Sequence, residues 1–366
     1  MNVPRLYLKV GAFMLYVGIL IAGCLWVLSL IKALFWKMPR ETAEQGLERS
    51  DEPLLFAFAD RLADAVGAPR PDNIRLDLDV NATASYETTA FGLGRRSFTL
   101  TLGVPIVAGL TLPQLAGVMA HEFGHFSQRG STFLDRLIHR VNSWFFAAIA
   151  RRDMIDDMIE SLTDPEDEGA LIMFLGFLLW ILVGLGKIVL WCLMQVGLFV
   201  SSSLLRRMEF DADRYEAAVV GSKVFETTSN RMYELSVANI VATKHVFDTA
   251  QGNYLPDDYA GFVAGLSKKS RKVKKKARKL IEKEKAGWLS SHPPTRNRIL
   301  AAKKQDMPGV LSSSLPSSAL FKSFSKCSKS LTDGMYQIHF GRNYMPGTCR
   351  PSSEAVESYL KTMEAK

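Results

Sequence analysis

Apolar positions along this chain follow three periods, and the first is no period at all. Residues 10–31 form a run of 22 without a charge, long enough at about 1.5 Å per residue to cross a hydrocarbon core of about 30 Å. Apart from Lys32 the run stays apolar to Trp36, beyond the usual length of a secretory signal, so it reads as a transmembrane helix. Ile21-Ala-Gly-Cys24 has the form of a lipoprotein cleavage box, but Leu-Trp-Val-Leu follows it where polar sequence is expected. A second apolar run covers 169–186 and 188–205, divided by Lys187. As one straight helix these 37 residues would reach about 55 Å, so two spans turning at Gly184-Leu-Gly-Lys187 are expected, with a re-entrant hairpin as the alternative.

The other two periods belong to soluble structure. Leu54, Phe56, Phe58, Leu62 and Val66 suggest a helix that ends at Gly67-Ala-Pro69. Ile74, Leu76, Leu78 and Val80 alternate with Arg75, Asp77 and Asp79, and Phe98, Leu100 and Leu102 alternate with Thr99 and Thr101. Period two predicts half-buried strands, which serve either as core or as an edge that takes a substrate backbone by strand addition. Residues 133–149 carry a helical apolar stripe that suits core packing, or, with Trp144 and Phe146, a helix in the membrane interface. His139 on this stripe is read as structural.

Composition sharpens the division. Apolar residues make up 48% and charged residues 22%, yet the excess sits in the two long runs, so a membrane part and a soluble part are being averaged. The net charge of +8 is equally local: from Lys268 to Lys285 eleven basic residues face two Glu, a local +9 that leaves the rest at −1. Within that tract Val273, Ala277, Leu280 and Ile281 form a thin helical stripe, so a solvated helix is the first reading and contact with anionic headgroups the second. Nucleic-acid binding is disfavoured for want of interleaved aromatics. The four cysteines show no paired short spacing, so neither a disulfide framework nor a cysteine zinc site is indicated.

Candidate chemistry centres on His121-Glu122-Phe-Gly-His125. Positions four apart share one face of a helix, so the two imidazoles can bind one zinc while Glu122 flanks its open position. The helix is specified locally by a Thr111/Gln114 capping-box pattern, Pro113 in the first turn and Gly130 beyond the end. A third ligand of the form H-x-x-G-x-x-H fails, because Gln128 and Ser131 stand where Gly and His are needed. Glu209 and Asp213, four apart directly after the second apolar run, supply carboxylates instead, and Glu209 is the better candidate ligand. If these groups share an ion, an even number of membrane crossings separates them, which a hairpin over 169–205 provides.

Together with Ser291-His-Pro-Pro-Thr-Arg-Asn-Arg-Ile299, these motifs resemble the integral-membrane zinc peptidases that include HtpX and the CAAX prenyl endoproteases, over about residues 54–300. The chain departs from HtpX-like enzymes in having one N-terminal span where they usually have two. The resemblance implies an α+β, mostly helical gluzincin-type catalytic domain with a small sheet, joined to about three transmembrane helices. It further implies one zinc per chain held by His121, His125 and Glu209, and Glu122 as the general base that activates water. Asp213 would orient a ligand histidine, and His292 and Arg298 would act at the cleft as catalytic residues, on the oxyanion or the substrate backbone. For the last two, a simple turn at His-Pro-Pro and an ion pair of Arg298 with the acidic helix are the structural alternatives.

The expected organisation is an N-terminal transmembrane helix (1–36), a first catalytic part (37–168), a transmembrane hairpin (169–205), a second catalytic part (206–306), and a linker and tail (307–366). The expected function is a membrane-bound zinc endopeptidase acting on membrane or misfolded proteins near the bilayer. A zinc-stabilised scaffold or chaperone-like protein is the alternative. Lys/Arg near the spans outnumber those opposite on the catalytic side, which points by the positive-inside rule to a cytoplasmic site in a bacterial inner membrane.

Overall fold

The computed structural model describes residues 43–87, 97–127, 131–150, 154–162, 170–249, 255–284, 292–341 and 349–363, with scattered positions between 13 and 32. In chain order the elements are β1 (Gln45–Leu47), α1 (Pro53–Val66), β2 (Asn73–Asp77), β3 (Ala82–Glu87), β4 (Ser97–Gly103), α2 (Val104–Gly109) and α3 (Leu112–Ser127). They continue with α4 (Ser131–Ala150), α5 (Met154–Leu162), α6 (Ala170–Val220), α7 (Ser222–Thr249), α8 (Tyr259–Lys269) and α9 (Arg271–Lys283). Last come α10 (Thr295–Gln305), α11 (Phe324–Phe340) and α12 (Ser352–Met363). The chain divides into two units, 1–40 with 133–203 and 41–132 with 204–366.

In the second unit, α1 starts with a proline where no backbone donor is needed, buries Leu55, Phe56, Ala59 and Leu62, and stops at Gly67 in the left-handed region. The sheet has the order β1-β2-β4-β3, with β2 and β4 parallel and the outer pairs antiparallel. Ile74 lies beside Leu100 and Leu76 beside Leu102, all four fully buried. The strand expected to be half-buried is buried on both faces: Thr99 is 1% and Thr101 7% exposed. Its central position explains this, since β4 has strands on both sides and helices packed over it. β3 is left as an edge strand.

Helices α3 and α7 to α9 close the core around Phe123, Leu235, Ala238, Phe262, Val263 and Leu266. The stretch expected to be a linker, 308–318, is tied down along its length. Val310 and Leu311 donate backbone bonds to Val219 O, Leu112 N donates to Leu315 O, and the Ser317 hydroxyl donates to Leu110 O at 2.9 Å. Further on, Thr332 Oγ1 accepts from Tyr259 N and the Tyr336 hydroxyl donates to Pro256 O. The tail thus fills donor and acceptor positions at the starts of α3 and α8 that would otherwise need water.

In the first unit, described positions of the N-terminal run, among them Phe13, Tyr16, Leu20 and Trp26, are helical. Trp144 Nε1 donates to Leu30 O at 3.0 Å. Lys187, the charge inside the second apolar run, reaches Asp156 of α5 at 2.9 Å. The side chain of His139 and residues 163–169 lie outside the described residues.

The expected hairpin over 169–205 is not what the chain forms. α6 is one helix of 51 residues, about 76 Å long, and it runs through Gly184, Gly186 and Lys187 without a turn. Two glycines inside a helix cost about 1 kcal/mol each, whereas a tight turn between two apolar segments would strip backbone groups of partners in a medium that offers none. Continuing the ladder is the cheaper solution. Among the described residues one helical stretch, Gly176–Val220, is long and apolar enough to cross a membrane, where about three were expected. The even number of crossings therefore cannot come from a hairpin at 184–187.

Candidate metal centre

The site is built from three segments of the second unit. Helix α3 buries Leu115, Ala116, Met119, Ala120 and Phe123 and turns His121, Glu122 and His125 the other way. Its start carries half of the expected capping box, with Gln114 Oε1 accepting from Thr111 N at 3.0 Å. The second segment is the end of α6, residues 204–220. Two glycines of α3 let that segment approach: a methyl on Gly117 would lie 3.1 Å from Glu216 Oε1, and one on Gly124 would lie 2.9 Å from the Tyr215 ring. Any larger residue at either place would push the histidines and carboxylates apart.

Glu209, Asp213 and Glu216 point across this contact, 7%, 3% and 5% exposed. Glu209 Oε2 lies 3.6 Å from His121 Nε2, and its Oε1 lies 3.9 Å from His125 Nε2. All three ligand atoms fall within 4.8 Å of one another. Tetrahedral zinc with bonds of about 2.0–2.1 Å holds its ligands about 3.3 Å apart, so small side-chain rotations are enough to seat it. His121 Nδ1 is buried, lies 3.1 Å from Asp213 Oδ1 out of line for a hydrogen bond, and is 4.0 Å from Glu216 Oε2. A carboxylate behind one ring nitrogen leaves the other facing the ligand position, as a metal-binding histidine requires. The donor set suits zinc.

The third segment runs from His292 into α10. Arg298 binds Asp213 through Nε at 2.9 Å and also through Nη2, and its Nη1 lies 3.7 Å from Glu209. His292, exposed, places Nδ1 3.0 Å from Glu209 Oε1. Of the seven residues singled out from the sequence, all reach this cluster, with Arg298 turned to the acidic helix. Ser291 lies outside the described residues.

Two participants escaped the sequence reading. Glu216 continues the 209/213 face by a further three residues, a helical spacing that was there to be read. Ala84, on the edge strand β3, donates its N–H to Glu122 Oε2 at 3.3 Å. Nothing local in the sequence connects an alanine with a glutamate 38 positions on.

The charges are tuned by this packing, just past the apolar half of α6. Burial raises Glu122 to about 7, against the pull of His121 and the Ala84 N–H. Burial likewise raises Glu216 to about 7. For Glu209 burial is opposed and outweighed by the His292 hydrogen bond and by His121 and Arg298, which hold it at about 2. His121 goes up to about 9: burial acts against its charge, but the Asp213 carboxylate outweighs burial and the repulsion of Arg298. Glu209 thus stays an anion, ready to bind a cation, and with no metal His121 carries a proton that a bound cation displaces.

Two imidazoles and a carboxylate from a facing helix, with a second carboxyl beside them, are a donor set of the kind that metal-dependent hydrolases use. Over residues 51–306 the chain matches peptidase family M48, and it belongs to that family. It is of the HtpX and CAAX-protease type, a metallopeptidase family. It is 23% identical over 265 residues to a protease HtpX homolog of Gemmatimonas aurantiaca, covering 72% of this chain and 79% of that protein. It also aligns with the crystal structure of S. mikatae Ste24p at 17% identity and a TM-score of 0.35, covering 82% of this chain and spanning 63% of that structure's length.

Proposed function

We propose that this protein is a membrane-bound zinc endopeptidase that hydrolyses membrane or misfolded proteins near the bilayer surface. The observation that carries the reading is the meeting of Glu209 with His121 and His125, 3.6 and 3.9 Å apart, from segments more than 80 positions distant in the chain. In this reading His121, His125 and Glu209 hold the zinc, which when bound supplies Lewis acidity and makes water easier to deprotonate. Glu122 takes the proton of the attacking water and returns it to the leaving amine. The edge of β3 beside Glu122 receives the substrate as an added strand. Asp213 sets the ring of His121, and Arg298 holds Asp213 and Glu209 in place, so it acts through them. His292, the more exposed of the pair and in contact with Glu209, is the residue this reading assigns to the oxyanion.

Support for the membrane setting comes from the apolar half of α6. Phe174, Trp180, Ile188, Val189, Val196 and Val200 are each at least 58% exposed, an arrangement that is costly in water and favourable in hydrocarbon. With no hairpin to place Arg151, Arg152 and Lys187, the residues that count are Lys32, Lys37, Arg40, Arg206, Arg207 and Arg214, joined to the catalytic unit without a crossing, against Arg5 and Lys9 beyond the N-terminal run. Their excess favours a cytoplasmic site in a bacterial inner membrane.

The test compares detergent-purified wild type and Glu122→Gln on an unfolded model protein, with zinc measured in both. We expect one zinc per chain in each and a loss of about 10²–10⁴-fold in hydrolysis for the variant. Equal cleavage by the two would remove Glu122 from the mechanism. Zinc in both with no cleavage of any substrate would favour the scaffold reading.

A further inference from the structure

Outside the metal centre, α9 carries the densest run of basic residues in the sequence. The structure divides the basic tract at Ser270, whose side chain caps α9 by accepting from Val273 N. Val273 and Ala277 are 3% and 1% exposed and fasten one face of the helix to the second unit. At the far end, Glu284 Oε2 accepts from Thr295 N at 2.8 Å. The helix is therefore fixed at both ends and along its inner face. Arg271, Lys272, Lys275, Lys276, Arg278 and Lys279 are all exposed on the remaining arc, with Glu282 as the one acid among them.

Such a face is unfavourable in isolation, because like charges three and four residues apart repel. An extended anionic partner removes that penalty. Three kinds of polyanion could do so, and two fit less well. Single-stranded nucleic acid binds through aromatic platforms as well as charge, and 268–284 contains no aromatic residue. An acidic protein partner would leave an apolar anchor to explain, and the one large apolar residue at the margin of this face, Leu280, is 43% exposed and stands alone. A lipid surface needs only density of charge, and on the reading above the chain is tethered to one.

We infer that the outer face of α9 docks on the anionic headgroups of the membrane that holds the apolar helix. Because a transmembrane helix already anchors the chain, the added attraction sets the orientation of the catalytic unit and contributes little to attachment. The inference rests on the membrane reading of α6 and is independent of catalysis.

The experiment uses the full chain in nanodiscs of phosphatidylcholine alone or with about one third phosphatidylglycerol. Acetylation rates of Lys275, Lys276 and Lys279 are followed by mass spectrometry, with Lys326 and Lys329 of α11 as internal references. Labelling of the α9 lysines should be about tenfold slower in the anionic discs, and the gap should close near 1 M salt, where the screening length is about 3 Å. Replacing their neighbours, Arg271→Gln with Lys272→Gln and Arg278→Gln, should shrink it while leaving cleavage of a soluble peptide unchanged. Equal rates in both discs, or equal slowing in both, would overturn the inference, as would protection by an added oligonucleotide and by neither disc. A failed peptidase reading shows itself separately, in the Glu122→Gln assay, and a failed membrane reading as a chain that does not enter discs.

Discussion

The two halves of α6 share one backbone ladder and opposite side-chain economies. Residues 170–203 turn large apolar groups outward, with Val200 69% exposed, while 204–220 bury three carboxylates, the most exposed at 7%. In water both halves would be inverted. On the membrane reading the first meets hydrocarbon, where exposed Phe and Trp cost nothing, and the second meets the facing histidines and Arg298, where buried charge is paired. A helix therefore does not determine what its faces meet. Its surroundings do, and they change near Ser203.

That contrast can be broken from either side. The largest effect is expected from Glu209→Ala, which should weaken zinc affinity by more than about a thousandfold and abolish hydrolysis, since even the carboxylate behind a ligand histidine is worth ten to a hundredfold. Metal retained by this variant would move the centre from Glu209 to the other donor cluster, His121, Asp213 and Glu216. Next is Val196→Asp in the other half. A carboxylate at the middle of a membrane helix costs about 3 kcal/mol, against about 0.5 kcal/mol or less on a water-facing surface. The inserted fraction in a translocon assay distinguishes the two, and full insertion would sink the lipid-facing reading.

Asp213→Asn sharpens the picture within the catalytic half, because it keeps shape and removes charge. Zinc affinity, read by chelator competition, should fall about ten- to a hundredfold, with the chain still folded. The smallest effect belongs to Arg207→Gln, exposed at the changeover. Thermal stability should move by about 0.5 kcal/mol or less and metal affinity not at all. A large change there would mean that the boundary itself carries function.

Much of the centre was legible because helical spacing is local. His121 with His125, and Glu209 with Asp213, repeat at four residues, and that period needs no knowledge of the rest of the chain. The strands around Ile74 and Leu100 were legible for the same reason, from period two. The errors arose where a local cue met a non-local choice. Gly184, Gly186 and Lys187 look like a turn, but the ladder continues through them and Lys187 finds Asp156 on another helix. Thr99 and Thr101 look solvent-facing, but the strand that bears them lies inside the sheet.

The sequence by itself determined the helices that carry the candidate ligands, the apolar runs and the concentration of positive charge between 268 and 285, because each follows from spacing along the chain. Only the tertiary structure decided that β2 and β4 pair in parallel, that β3 becomes the edge beside Glu122, that Glu216 joins the cluster and that Arg298 turns to Asp213. These contacts join residues far apart in the chain, and which distant groups meet is settled by the burial and hydrogen bonding of the whole unit, a competition that no local period records.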